Sequence, residues 1–242
     1  MKRYYYDFHI HSCLSPCADD DSTPNNIAGM AKLCSLDIIA LTDHNSAKNC
    51  PAFFSACERY GIVPIAGTEL TTSEDIHVVC LFEKLSDAMS FDTELQKHRI
   101  FIKNRKEIFG NQLILDENDE VIGEEENLLS NATDISLEDV IEFAERFNGI
   151  CYPAHIDRPS NGVIEILGTF PSTPHFSIVE INNKDKVKEL TEKYALEDKT
   201  VIISSDAHYL TDIRDKENFF ELECDDEPDS VRKALFEKLR EI

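Results

Sequence analysis

Short apolar runs alternate with amphipathic stretches along the chain, and that rhythm predicts most of its elements. Residues 4–11 form an aromatic-rich run of period two, the pattern of a β-strand. Thr23 and Pro24 supply an N-cap and a first-turn proline for a helix through Ile27, Met30, Ala31 and Leu33. Residues 38–41 are apolar, bounded by polar residues and too few for a helix, so they predict a buried parallel-type strand. A second helix over 51–60 stops at Gly61, and a third strand over 62–66 runs into Gly67-Thr68-Glu69. Strands alternating with helices in this way imply a parallel sheet with crossover helices. Residues 76–82 read as a fourth strand, with His77 near its beginning.

The pattern changes between residues 86 and 131. A charged helix over 92–109 is expected there, followed by a small hairpin, 112–115 and 121–122, around the acidic turn 116–120. The segment offers no residue to a strand end and reads as an insertion in a single domain spanning 1–242, either a spacer or a lid. Beyond it, Ser136 and Asp139 resemble a capping box opening a helix over 137–147, which Gly149 ends. Strands over 150–152, 178–181, 201–204 and 219–222 follow, with helices over 164–167 and 185–195. An amphipathic helix begins at Asp229, and its Val231, Ala234, Leu235 and Leu239 share a face.

Composition narrows the function classes. With 242 residues and 42% hydrophobic residues, the chain can bury a substantial core. It has no apolar stretch near the roughly 18 residues a membrane span needs, and no secretory apolar region follows Met1-Lys2-Arg3-Tyr4, so a cytoplasmic protein is expected. The eight cysteines are scattered through predicted helices and strands and read as thiols rather than a disulfide framework. A net charge of −23 argues against a surface that grips long nucleic acid by neutralising its phosphates. It leaves room for a small phosphorylated substrate in a pocket where bound cations reverse the local field.

Six of the eight histidines are candidates for one site, five at strand ends and His77 near the start of its strand. His9 and His11 sit two apart on a strand, so they share a face, opposite Phe8 and Ile10. His9/His11, Asp43/His44, Glu69, His155 and Asp206/His208 all fall at or just past the C-terminal ends of predicted strands. In a β/α barrel those ends meet at one mouth, where active sites are built. His98 and His175 lie outside the pattern and read as surface residues. The imidazoles and carboxylates suit two or three divalent ions such as zinc, manganese or iron.

These segments, His9-Ile10-His11-Ser12, Thr42-Asp43-His44, Gly67-Thr68-Glu69, Asp75-Ile76-His77, Pro153-Ala154-His155 and Ser204-Ser205-Asp206-Ala207-His208, resemble in order the motifs of the PHP (polymerase and histidinol phosphatase) family. The resemblance implies a distorted (β/α)7 barrel with a trinuclear metal centre that hydrolyses phosphoesters. By position it implies that His9, His11, Glu69 and Asp206 hold one metal. Glu69 would bridge to a second, completed by His77 and His155, and His44 and His208 would hold a third. Many members add a ligand from the loop after the first motif; here Cys17 and Asp19 are the two candidates.

Paired metals would activate a water and clamp the phosphoryl oxygens, with no protein nucleophile. Arg158, three residues past His155, is placed to fork onto a phosphate, and His208 or His44 to protonate the leaving oxygen. Asp43 reads as a carboxylate that orients a neighbouring histidine. Within this class a histidinol-phosphatase-like monoesterase competes with a nucleotide or short-oligonucleotide phosphoesterase. An amidohydrolase-type C–N hydrolase, which would need a bridging carbamylated lysine that no strand end offers, ranks lower, as does a non-catalytic metal-binding regulatory module.

Overall fold

The computed structural model describes residues 1–241. Its first half follows the expected alternation: β1 (Lys2–Ile10), α1 (Pro24–Leu33), β2 (Ile38–Leu41), α2 (Cys50–Tyr60), β3 (Val63–Thr71) and β4 (His77–Phe82). The side chain of Thr23 accepts the Asn26 N–H to cap α1, and Gly61, at φ +66°, ends α2 in the left-handed conformation that glycine tolerates best. The second half comprises α3 (Leu85–Leu95), α4 (Lys106–Phe109), β5 (Leu113–Leu115), β6 (Val121–Glu124), α5 (Val140–Glu145), β7 (Gly149–Pro153), α6 (Val163–Leu167), β8 (Ile178–Glu180), α7 (Val187–Tyr194), β9 (Thr200–Ile202), β10 (Phe219–Leu222) and α8 (Pro228–Arg240).

Strands β10-β1-β2-β3-β4-β7 form one curled sheet, and β8 and β9 pair separately. Loop hydrogen bonds complete the ring. Ile156 N donates to Glu180 O beside β8, while His11 N and Ala207 N exchange bonds with Ala207 O and His9 O across the seam between the two ends of the chain. The result is the distorted seven-stranded α/β barrel β1-β2-β3-β4-β7-β8-β9, with β10 laid antiparallel on the first half of β1.

Within the seven-stranded ring, one strand departs from the all-parallel expectation. β4 is antiparallel to both β3 and β7. The reversal explains why His77 lies at the start of its strand: the first residue of a reversed strand sits at the same rim as the last residues of its neighbours.

β1 also departs from simple alternation. Tyr6, Asp7 and Ile10 pair with Ile38, Ile39 and Leu41 of β2, so β1 carries one residue more than its partner between Asp7 and Ile10. Such a bulge changes which face later side chains take. Tyr4, Tyr6 and Phe8 accordingly pack with Ile38, Ala40, Ile65 and Leu81 on the inner face, where Val231, Leu235 and Phe236 of α8 close the bottom of the barrel. Ile10 instead packs outward with Ile27, Ile39, Leu41 and Phe53, under α1 and α2. Phe8 and Ile10 therefore part company, contrary to the strict alternation expected from sequence. Asp7 Oδ1 accepts the backbone N–H groups of His9 and Ser205, tying the bulge to the strand end across the seam.

The 86–131 segment differs from the expected single helix over 92–109. The first helix, α3, starts earlier and ends at Leu95, and residues 99–104 run extended, with Leu128 N donating to Ile102 O and Asn104 N to Glu126 O. Ile100-Phe101-Ile102 is rich in β-branched and aromatic side chains, which favours the extended form over helix. The hairpin appears as β5 and β6. It packs on the loops of the barrel mouth: Leu113 N donates to Cys13 O, and Asn45 Nδ2 donates to the carbonyls of Leu129 and Asn131.

Gly110 marks the tightest of these contacts. It has φ +98° and ψ 178°, and a Cβ there would lie 2.2 Å from Pro16 O. That backbone region is essentially closed to other residues. Gly110→Ala is expected to destabilise the protein by about 1–3 kcal/mol, read as a lower denaturation midpoint with unchanged m-value. Wild-type stability would show that the segment does not brace the mouth loop.

Candidate metal centre

The first pair of histidines is fixed by partners that settle which nitrogen carries the proton. His9 Nδ1 lies 2.9 and 3.1 Å from the two oxygens of Glu180, whose carboxylate can only accept, so Nδ1 holds the proton and Nε2 the lone pair. Ser15 Oγ donates to Asp43 Oδ1 at 2.7 Å and accepts from His44 N, so His11 Nδ1, 2.9 Å away, donates to it. His11 Nε2 is likewise left with a lone pair. The two Nε2 atoms lie 3.1 Å apart, and Asp206 Oδ1 lies 3.3 and 3.1 Å from them. Glu69 adds Oε1 at 3.3 Å from His9 and Oε2 at 3.3 Å from His11.

With both rings neutral, as metal ligands must be, such a group contains acceptors and no donor between them. Asp206 Oδ1 and Glu69 Oε2 are buried without a hydrogen-bond partner, a costly state unless a cation sits among them. The donor set of two imidazoles and two carboxylates fits a borderline divalent ion. Glu69 extends the centre on its other side. Its Oε1 lies 2.8 Å from His77 Nδ1 and 3.0 Å from His155 Nε2, and its Oε2 lies 3.0 Å from His44 Nδ1. His44 Nδ1 is itself buried without a hydrogen-bond partner. His11, His44 and His208 form a further cluster with metal-ligand spacing.

The electrostatics follow from this crowding. Burial would push the Glu69 carboxyl up, but the imidazoles of His77, His9 and His44 outweigh it and hold it well below the usual carboxylate range. Asp206 is likewise opposed by burial and brought down by His9 and His11. Burial pulls His9 down, while Glu180, Asp206 and Glu69 together raise it well above an ordinary imidazole, so Nε2 attracts a positive charge, either a proton or a metal ion that takes the proton's place. His77 is brought down to about 4 by burial, against the pull of Glu69.

The loop after the first motif resolves into two different roles. Cys17 Sγ lies 3.2 Å from His44 Nε2. Crowding raises its thiol, but the charge of His44 and hydrogen bonds with His208 and His44 bring it down to about 5. Asp19 does not join the cluster: its carboxylate turns back onto Asp21 N at 2.9 Å, while its own N–H is held by His208 O. Backbone pairing thus points the Asp19 side chain to solvent and leaves Cys17 beside the third group.

Asp43 braces this loop, accepting Ser12 N, Ser12 Oγ and Ser15 Oγ at 2.7 Å each, and orients His11 through Ser15. Arg158 sits at the rim, with Nη1 2.5 Å from Asp206 Oδ2. His208, its side chain 20% exposed, is more open to solvent than His44. His98 pairs with Asp134 and His175 is exposed, both away from the centre.

Sequence reasoning passed over Glu180. It is fully buried at the end of β8, holds the His9 ring, and accepts His155 N at 3.0 Å. The signal was a single carboxylate within the apolar run Ile178-Val179-Glu180-Ile181, where burial on both faces makes an unpaired charge expensive. The hydrogen bond to His155 matters because His155 has φ +27° and Asp206 φ +52°, left-handed conformations that non-glycine residues keep only when their surroundings impose them.

Glu180→Ala would free the His9 ring and orphan His155 N. Metal affinity, measured by competition with a chelator, is expected to fall about 10- to 100-fold. Unchanged affinity would show that Glu180 does not orient the ligands.

The chain resembles several solved structures at low identity, which establishes shared fold. The lesion-specific endonuclease EndoQ of Pyrococcus furiosus superposes with a TM-score of 0.66 at 18% identity, over 98% of this chain and 56% of that one. This chain therefore spans little more than half of that enzyme. A protein from Bifidobacterium adolescentis assigned as a metal-dependent phosphoesterase matches with a TM-score of 0.59 at 16% identity, over 96% of both chains. An amidohydrolase from Chromobacterium violaceum with bound sulfate matches with a TM-score of 0.59 at 17% identity, over 98% of this chain and 96% of that one. No curated protein matches the sequence. Residues 7–197 match the PHP domain, and with the barrel and the buried clusters described above the chain belongs to the PHP domain family.

Proposed function

We propose that the protein is a metal-dependent phosphoesterase acting on a small phosphorylated substrate, with two or three divalent ions at the barrel mouth. The observation that carries this reading is the facing pair of Nε2 lone pairs on His9 and His11, with Asp206 and Glu69 oxygens around them and no donor between. His9, His11, Asp206 and Glu69 would hold one ion. Glu69 would also serve a second, with His77 and His155, and His44 and His208 a third, with Cys17 rather than Asp19 beside it. Ions bound there supply Lewis acidity toward a phosphoryl oxygen and lower the pKa of a bound water.

The chain's own residues account for positioning and proton handling. Arg158 spends Nη1 on Asp206, and Nε and Nη2 make no hydrogen bond among the described residues, so they are free to take a phosphoryl oxygen. His208 has the more exposed imidazole of the candidate pair, and where it is not taken up as a ligand of a third ion it is better placed than His44 to give a proton to the leaving oxygen. No helix among the described residues is long and apolar enough to cross a membrane. The net charge of −23 favours a small substrate over a long nucleic acid. The duplex substrate named for endonuclease Q belongs to a protein of which this chain covers little more than half.

Purified protein should hold two to three equivalents of transition metal and release phosphate from a panel containing p-nitrophenyl phosphate, AMP, a 3′,5′-bisphosphate nucleotide and histidinol phosphate. Glu69→Gln is expected to lower turnover by at least about 10³-fold while circular dichroism shows the fold retained. Absence of bound metal, together with no phosphate release after manganese addition, would overturn the reading. Turnover of amides or cyclic imides instead would move the protein to C–N hydrolysis.

A further inference from the structure

Among the described residues, Cys80 on β4 and Cys151 on β7 are the only two of the eight cysteines that a strand register sets directly opposite each other. At the start of the same ladder His77 O accepts from Ala154 N at 3.0 Å. Hydrogen-bonded and non-hydrogen-bonded pairs alternate along an antiparallel ladder, so Val78/Pro153 and Cys80/Cys151 fall at non-hydrogen-bonded positions. Pro153, with no N–H to give, fits that assignment. Opposed Cα atoms stand about 4.5 Å apart at such positions, within the range of about 4.4–6.8 Å that a disulfide spans.

Both side chains lie on the outer face of the sheet. Val78, Cys80 and Phe82 share a cluster with Phe91 of α3, and Cys151 packs against the same cluster. The two thiols are in contact: a side-chain hydrogen bond with Cys151 is the largest influence on Cys80, and together with burial it holds that thiol well above an ordinary cysteine.

Access to the pair is one-sided. Cys80 is fully buried, whereas Cys151 is half-buried and lines a cavity of about 210 Å³. Glu145, His175 and Arg240 on the same cavity are exposed, so it opens to solvent. None of the candidate metal ligands lines it.

We propose that Cys80 and Cys151 are a redox site: a peroxide entering by this cavity oxidises Cys151, and Cys80 then closes a disulfide between β4 and β7. In the first step the Cys151 sulfur takes one oxygen of the peroxide, the O–O bond breaks, and hydrogen peroxide leaves Cys151 sulfenic acid and one water. In the second the Cys80 sulfur attacks the Cys151 sulfur, and the displaced hydroxyl leaves with the Cys80 proton as a second water. Two thiols are oxidised and one peroxide is reduced. Cys80 lies three residues from His77 and Cys151 four from His155, so the bond clasps the two strands that bring these side chains to the mouth.

The test treats purified full-length protein with hydrogen peroxide, unfolds it in N-ethylmaleimide to block remaining thiols, and maps its peptides without reduction by mass spectrometry. The expected product is a peptide pair joined through Cys80 and Cys151, lighter by the two hydrogens lost. Closing a loop this long should raise the thermal midpoint by about 5–15 °C, a shift undone by dithiothreitol and absent in Cys151→Ser. In Cys80→Ala, which lacks the second thiol, Cys151 should keep its sulfenic acid and be labelled by dimedone, while Cys80 in Cys151→Ser should stay unlabelled. Recovery of both cysteines as maleimide adducts, or of Cys151 only as sulfinic or sulfonic acid, overturns the proposal. A disulfide that forms and leaves the midpoint unchanged overturns the clasp, and dimedone on Cys80 in Cys151→Ser overturns entry through Cys151.

Discussion

The mouth of this barrel is organised by a repulsion. His9 Nε2, His11 Nε2, Asp206 Oδ1 and Glu69 Oε2 are all acceptors, and the fold holds them together in a region closed to water. Gathering lone pairs in a medium of low polarity is unfavourable by itself, and it persists only where surrounding groups fix each ring and a cation can complete the set. The fixing groups are Glu180 for His9 and the Asp43–Ser15 pair for His11. They commit the outer nitrogen of each ring to donation, so that the inner one is the nitrogen left to take a metal ion or, in its place, a proton.

Backbone irregularities do the geometric part. The extra residue in β1 lets Tyr6 and Phe8 fill the barrel while Ile10 seals the helix layer. The reversal of β4 brings His77 to the same rim as Glu69 without adding a crossover helix. Left-handed residues at His155 and Asp206 turn two more side chains inward. Each irregularity lies at or beside a candidate ligand, where strain and broken pairing are tolerated for the sake of the site.

Much of this was legible before any coordinates. The strands and helices of the first half follow from runs such as Ile38–Leu41 and from the Thr23-Pro24 cap, and the shared phase of His9, Glu69, His155 and Asp206 pointed to one mouth. What stayed hidden depended on partners distant in sequence. Nothing local distinguishes an antiparallel β4 from a parallel one, because the direction of a strand is set by its neighbours. Cys17 and Asp19 differ by two positions, and which of their side chains lies beside His44 turns on the bond from Asp19 N to His208 O, nearly the whole chain away. Residues 99–104 carried the charge of a helix but the β-branched side chains of a strand, and pairing with 126–128 decided the matter.

The seam at His9–Ala207 has a consequence for how the chain holds together. The barrel is completed there by only a few backbone bonds between its first and last strands. An ion coordinated by His9, His11 and Asp206 would span the same seam and act as a cross-link between the two ends of the chain. By the loop-closure relation for cross-links, joining residues so far apart removes about 5 kcal/mol of denatured-state entropy. Metal occupancy would then be a term in folding stability as well as in chemistry. The cofactor would serve as the clasp of the barrel, and a molecule that lost it would be expected to open first along this line.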